Sequence, residues 1–424
     1  MRPADVHIDD LAEPRFPEEA RELLAGMTAL APACPLEPEA LMAAAVQRTE
    51  AEGRRLEDFG DDAFREPLEI LCRSLREEAG LAEHGKVVWH VQMVAQLTQR
   101  LRLQDLLTRH PEIHDERIER PIVIAGLPRT GTTHLHNLLS ADPALRPLPY
   151  WEACEPVPPP GEEGTIEGRV ERVAGSLHLI HTSLPYLKRM FDLTPTHSHE
   201  EGGLLALTFA STHLEIQAML PSYRDWYLGT DQTFAYEYLR TALKAIQWQR
   251  GGGRWVLKAP QHLEQLGPLM HVFPDATVVI THRDPVAVTA SLTTMLAYAL
   301  RMTTSPVDPH AIGAYWKERA AAYMERCLRD RDLVPKEQSI DVLFDEFMAD
   351  DIAMVERIYE VAGQPFTDDT RAAMEAFMAE HPRGRHGRVD YRLADIGLEL
   401  EERRRALAPY IERFGIREER VRER

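Results

Sequence analysis

At 424 residues the chain is long enough for one large domain or two, with a sizeable buried core. Its 44% hydrophobic and 28% charged residues are those of a globular protein, which excludes a disordered or fibrous chain. A formal charge of −19 argues against a nucleic-acid coat and an anionic membrane surface, and any anionic ligand must be drawn in by local Arg and Lys.

The N-terminus, Met1-Arg-Pro-Ala-Asp-Val-His-Ile-Asp-Asp, has no apolar signal core, and no apolar run is long enough to span a bilayer. Cys34, Cys72, Cys154 and Cys327 are scattered without a C-x-x-C pair, which suits a reducing cytoplasm and gives no zinc site. Residues 1–119 read as helical: Leu68, Leu71, Cys72 and Leu75 fall at i, i+3, i+4 and i+7, with Pro67 near the helix start. Val94, Leu97 and Leu101 repeat the period. This stretch carries no catalytic constellation, and a helical cap on a catalytic sheet is expected; a dimerisation or acceptor-binding element is the alternative.

Pro121 to Leu139 is the most informative stretch. Ile122 to Ala125 form a short continuous apolar run, the pattern of a central parallel strand. Leu135, Leu138 and Leu139 then show helical period. A loop between such elements aims successive backbone N–H groups at one point, and the helix adds about half a positive charge there. The segment is an anion cradle for phosphate or sulfate. Gly126 and Gly131 match the glycines of G-x-x-x-x-G-K-[ST], but Thr132 stands where that motif has Lys. Pro128-Arg129-Thr130-Gly131-Thr132-Thr133 instead resembles the P-[KR]-[ST]-G-T-T loop of sulfotransferases that use 3′-phosphoadenosine 5′-phosphosulfate (PAPS). The resemblance implies that Arg129, Thr130, Gly131, Thr132 and Thr133 hold the 5′-phosphosulfate.

A long segment, residues 150–253, follows the first strand–helix unit. It contains a Pro-rich turn at Pro156 to Gly161, ends at Gly251-Gly-Gly253, and should be mostly helical. Its position suits an acceptor pocket or lid. Within it lies Thr196-His197-Ser-His199-Glu200-Glu201-Gly202. Some sulfotransferases use a carboxylate base, and Glu201 is one candidate.

Arg254 to Lys258 is a second strand, running into Ala259-Pro-Gln-His262. Lys258 would supply charge near the sulfonate. His262 is the first candidate for the base, since a neutral imidazole with an ordinary pKa near ~6.5 suits that role. In the cytosolic sulfotransferases the catalytic His follows a Lys by two residues; here the gap is four. Asp275 to Ser291 reads as strand, turn and helix, with Asp284 as N-cap and Pro285 as first helical residue. Arg283 therefore sits at the carboxyl end of a strand, on the ligand side of an open α/β sheet. Arg283 with Ser291 eight residues on resembles the family's 3′-phosphate site: a terminal phosphate needs a bidentate guanidinium and a neutral donor.

A further strand is expected near 339–344, then a helix and Gly363-Gln-Pro-Phe. By resemblance the last cofactor loop is His381 to Arg388, where Arg385-His386-Gly387 is an imperfect counterpart of the family's Arg-Lys-Gly; this makes Arg385 a candidate 3′-phosphate ligand. The C-terminal stretch from Glu401 to Arg424 mixes both signs of charge, and a solvated helix is expected.

Together these elements predict an α/β fold, a P-loop-like parallel sheet flanked by helices, with a helical cap (1–119) and the α/β domain (120–424) carrying the insertion. The implied function is in-line sulfuryl transfer from PAPS to a hydroxyl or amine of a small, partly apolar molecule, with no metal. A P-loop kinase or nucleoside triphosphatase is the first alternative. A non-catalytic binder of adenosine bisphosphate is the second.

Overall fold

A computed structural model describes residues 3–423, so the first two positions of the N-terminal reading and Arg424 lie outside the described residues. The core is a five-stranded sheet of β1 (Ile122–Ala125), β2 (Leu145–Arg146), β3 (Arg254–Lys258), β4 (Thr277–His282) and β5 (Ser339–Leu343). Their spatial order is β2-β3-β1-β4-β5, and every pairing is parallel. The four longer strands fall where the sequence predicts strands. β2 was not anticipated, because two edge residues carry no periodic signal.

Side chains alternate across the sheet with the period of two that extended backbone imposes. Val123, Ala125, Leu257, Val278 and Ile280 face one layer, built from helices Thr233–Arg250, Leu266–Val272 and Pro309–Asp330. Ile122, Ile124, Val256, Val279 and Val342 face the other, packing on Leu135, Leu138 and Leu139 and on Met354, Val355 and Ile358. Both faces are covered, as an all-parallel sheet requires.

Residues before β1 form helices Glu18–Leu30, Pro38–Ala51, Arg65–Glu77 and Glu83–Arg109. Leu68, Leu71, Cys72 and Leu75 are buried and share a cluster with Phe209 and Tyr223 of the insertion. Arg100 is buried among carbonyls, donating to Leu207 O at 2.9 Å and Phe59 O at 3.1 Å. Val6–His7 pairs in parallel with Val389–Asp390, tying the first residues to the segment that follows the last basic loop. No described helix is long and apolar enough to cross a membrane.

The C-terminal stretch departs from the expectation of a solvated helix. Helix Leu400–Phe414 buries Arg403, Leu407 and Tyr410, an i, i+4, i+7 face that the dense charge conceals. Gly415, at φ 64, ends it, and the residues beyond turn back without helix towards the carboxyl end of β4.

Candidate active site

β1 ends at Ala125, and the loop from Gly126 to Gly131 turns the chain into helix Thr132–Ser140. Close packing demands glycine at the loop's start: a Cβ on Gly126 would stand 2.0 Å from Thr281 Oγ1 on β4. Gly131 has φ 90, and Arg129 also lies in the left-handed region at φ 76. Thr130 Oγ1 donates to Leu127 O and meets Thr281 Oγ1, each at 2.7 Å, so this hydroxyl braces the loop. The nine-residue helix begins without a side-chain cap. Its first N–H groups are therefore available to an anion.

Arg129 does not reach into open space. It donates to Ser291 Oγ at 2.9 Å, to Tyr391 Oη at 3.1 Å and to Met190 O. Arg129 and Ser291, read as ligands of opposite ends of the donor, thus meet each other. Arg283 lies beyond the end of β4 and donates to Arg129 O at 2.7 Å. Its other bonds go to Glu419, from Nε at 2.6 Å and from Nη2 at 2.8 Å. The guanidinium also stacks over Phe344, 4.2 Å from the ring centre. Asp284 caps the next helix as expected, accepting from Val286 N at 2.9 Å.

Arg385 contacts His386 and Asp192 of the insertion. The same basic loop leads to Tyr391, which meets Arg129. The loop therefore borders the cradle through Tyr391, while Arg385 itself is engaged at the insertion.

Lys258 ends β3 beside β1, in register with Ile124. Its ammonium pairs with Glu200 and its backbone N–H donates to Glu201 Oε2 at 2.8 Å. Glu201 and His262 form one buried pair, and His262 Nδ1 meets Tyr236 Oη at 2.8 Å. Burial pushes the Glu201 carboxyl up, but His262 and the Lys258 N–H outweigh it and leave it below its ordinary value. Both residues are fully buried, and neither lines the neighbouring cleft. The structure thus brings both candidate bases together, bonds them to each other and closes them off.

That cleft, about 120 Å³, opens on the cradle at Thr132 and Thr133. Its walls include Phe191, Ile216, Leu292, Met295, Leu296 and Trp316, with Glu200, His213 and Gln261 among the few polar side chains. His213 sits in the short helix Thr212–Glu215, capped by Ser211. Its ring makes no hydrogen bond among the described residues; burial holds it below the ordinary histidine value, and Glu200 opposes that shift. The result is a neutral imidazole facing the cleft with a carboxylate nearby. His213 lies outside every motif that the sequence offers. Glu200 stands inside the His/Glu run, but adjacency to Glu201 does not say which of the two faces the cleft. His136, one turn into the cradle helix, is wholly buried and held down to about 3 by burial and then by Lys258.

Residues 121–368 match the sulfotransferase family. Two solved structures resemble the chain over nearly their whole length. Sulfotransferase STF1 of Mycobacterium tuberculosis H37Rv is 31% identical, with a TM-score of 0.77 over 88% of this chain and 98% of its own. Sulfotransferase STF9 of Mycobacterium avium is 27% identical, with a TM-score of 0.80 over 92% and 98%. No curated protein sequence matches the chain.

Proposed function

The chain belongs to the sulfotransferase family, and from that premise we propose that it transfers the sulfuryl group of PAPS to a hydroxyl or amine of a small, largely apolar acceptor. One observation carries the acceptor reading: the cleft that opens on the cradle is walled mainly by apolar side chains. An uncharged molecule with an apolar body and one nucleophilic group suits such a wall.

In this reading the acceptor oxygen or nitrogen attacks sulfur in line. The bond from sulfur to the bridging phosphate oxygen breaks, and adenosine 3′,5′-bisphosphate leaves. The N–H groups of the cradle, with Thr132 and Thr133, meet the charge that builds on the transferring group. Lys258 adds positive charge beside it. Losing one such donor typically raises the barrier by about 2.7–4 kcal/mol. Arg283 and Ser291 take the 3′-phosphate, with Arg385 reaching it if the basic loop closes. For that, Arg129 must exchange its bond to Ser291 for the donor.

His213 receives the acceptor's proton. Its ring faces the cleft, is neutral at pH 7 and is unengaged; Glu200 steadies the imidazolium that forms. His262 and Glu201 hold the Lys258 turn in place. The four free cysteines support a reducing, cytoplasmic setting.

The test is PAPS turnover with apolar alcohols and phenols against sugars of similar size. Apolar acceptors should be preferred, and His213→Ala should lower kcat about 10²–10⁴-fold. An unchanged kcat in His213→Ala would move the base elsewhere. Exclusive use of sugars would end the apolar-acceptor reading.

A further inference from the structure

We propose that the C-terminal segment gates the donor site: the Glu419 carboxylate holds the face of Arg283 that the donor's 3′-phosphate needs, so donor binding and the Glu419–Arg283 ion pair exclude each other. This rests on the donor reading given above.

The geometry is that of an anion mimic. An arginine has five N–H donors in a fixed fork, and it takes carboxylate and phosphate through the same bidentate edge. Here Nε and Nη2 both donate to Glu419, at 2.6 and 2.8 Å, and Nη1 donates to Arg129 O at 2.7 Å. Three of the five donors are thereby engaged, including the whole Nε–Nη2 edge. A phosphate dianion arriving on that edge would meet a carboxylate already seated, and like charges at such range repel.

The segment is built to return. Gly415 turns the chain at φ 64, and Ile416 is buried just after it. Asp284, the cap of the helix that follows Arg283, accepts the Glu419 N–H at 2.7 Å. Arg404 bonds both Asp284 oxygens at 2.6 and 2.7 Å and donates to Glu419 O at 3.0 Å. Further on, Leu393 N donates to Arg422 O at 3.0 Å and Ala394 N to Glu423 O at 2.9 Å. The backbone is thus clamped on both sides of Glu419, and a side-chain rotation alone would free Arg283. A cavity of about 370 Å³ lies against the ion pair, lined by Arg283, Phe344, Met348, Ile416, Arg417 and Glu419. It gives the displaced side chain room.

The lock is weak enough to open. Arg283 and Glu419 side chains are 21% and 34% exposed, and partly solvated ion pairs contribute little net stability. A 3′-phosphate brings more charge and more acceptor oxygens to the same guanidinium, so it displaces the carboxylate.

Calorimetric titration of the full chain with adenosine 3′,5′-bisphosphate and with adenosine 5′-monophosphate tests the gate. Glu419→Gln should tighten the bisphosphate about three- to five-fold and leave the monophosphate within two-fold. Arg283→Ala should erase the preference for the bisphosphate. A bisphosphate affinity unchanged or weakened in Glu419→Gln, with the Arg283→Ala loss intact, would overturn the gate and leave the donor reading standing. Equal binding of the two nucleotides by the unaltered chain would overturn both.

Discussion

The buried triad of Arg319, Glu215 and Glu264 invites a quantitative test. Arg319 donates from Nε to both Glu215 oxygens at 3.0 and 2.7 Å, and from Nη1 and Nη2 to Glu264 at 2.7 and 2.6 Å. Tyr315 Oη adds a bond to Glu215 at 2.7 Å, and the Tyr323 ring lies 4.0 Å from the guanidinium. All three charged groups are at most 1% exposed. Burial, with the second carboxylate, raises the Glu264 carboxyl above its ordinary value even though Arg319 draws it down. The triad joins helix Pro309–Asp330 to helix Thr212–Glu215, which bears His213, and to the turn Pro260–Glu264, which bears Gln261. Arg319→Met removes the guanidinium that is hydrogen-bonded to both buried carboxylates. Breaking such a pair from one side costs about 3–5 kcal/mol. At roughly 2.1 cal/mol/K per residue, a chain of 424 residues has an unfolding entropy of roughly 0.9 kcal/mol/K, so Tm should fall by about 3–6 °C. Thermal and urea unfolding at pH 7 read the change directly. Adding Glu215→Gln and Glu264→Gln to Arg319→Met should recover most of the loss. A loss below about 1 kcal/mol would refute the reasoning, because it would mean that the carboxylates do not need the guanidinium.

Other outcomes follow from the same packing. His136 is held down to about 3 from the ordinary 6.5. Below pH 6.5 the unfolded chain takes up a proton that the native ring refuses, so stability falls on acidification by up to about 5 kcal/mol as pH approaches 3. His136→Gln should flatten urea midpoints over that window; parallel profiles would contradict it. His262→Gln breaks the buried pair with Glu201 and should cost about 3–5 kcal/mol of stability. An unchanged urea midpoint together with a kcat loss of more than about 10²-fold would instead put that imidazole at the chemistry. Gly126→Ala drives a methyl to 2.0 Å from Thr281 Oγ1, an overpacking cost of about 1–3 kcal/mol that Thr281→Ala should partly relieve in unfolding assays. No relief would mean that the loop backbone, rather than Thr281, is what must move.

The sheet was legible because its strands are buried on both faces and therefore carry short apolar runs at 122–125, 255–257 and 278–280. Asp284-Pro285 announced a helix start by local chemistry alone, and the cap bond is present. The proposed proton acceptor was harder to read. Lys258, Glu201 and His262 come from two distant segments, and only the folded chain reveals that Glu201 bonds Lys258 N and His262 while Glu200 bonds Lys258 Nζ. Neighbouring carboxylates point to different environments, which no spacing rule separates. His213 owes its place to the packing of a short helix in the insertion, not to any motif. The tail was misread for a related reason: two of its charges pair within the fold, Arg404 with Asp284 and Glu419 with Arg283, and dense charge around them conceals the buried face.

The central claim is that the cradle and the Arg283 end of β4 bind a 3′-phosphorylated adenosine sulfate donor. Calorimetry of the full chain with adenosine 3′,5′-bisphosphate, adenosine 5′-monophosphate and ATP with magnesium tests it most directly. The account predicts binding of the bisphosphate without metal, a clear preference over the monophosphate, and loss of that preference in Arg283→Ala. Binding of ATP with magnesium alone, indifferent to Arg283→Ala, would contradict it and point to a nucleoside triphosphate enzyme.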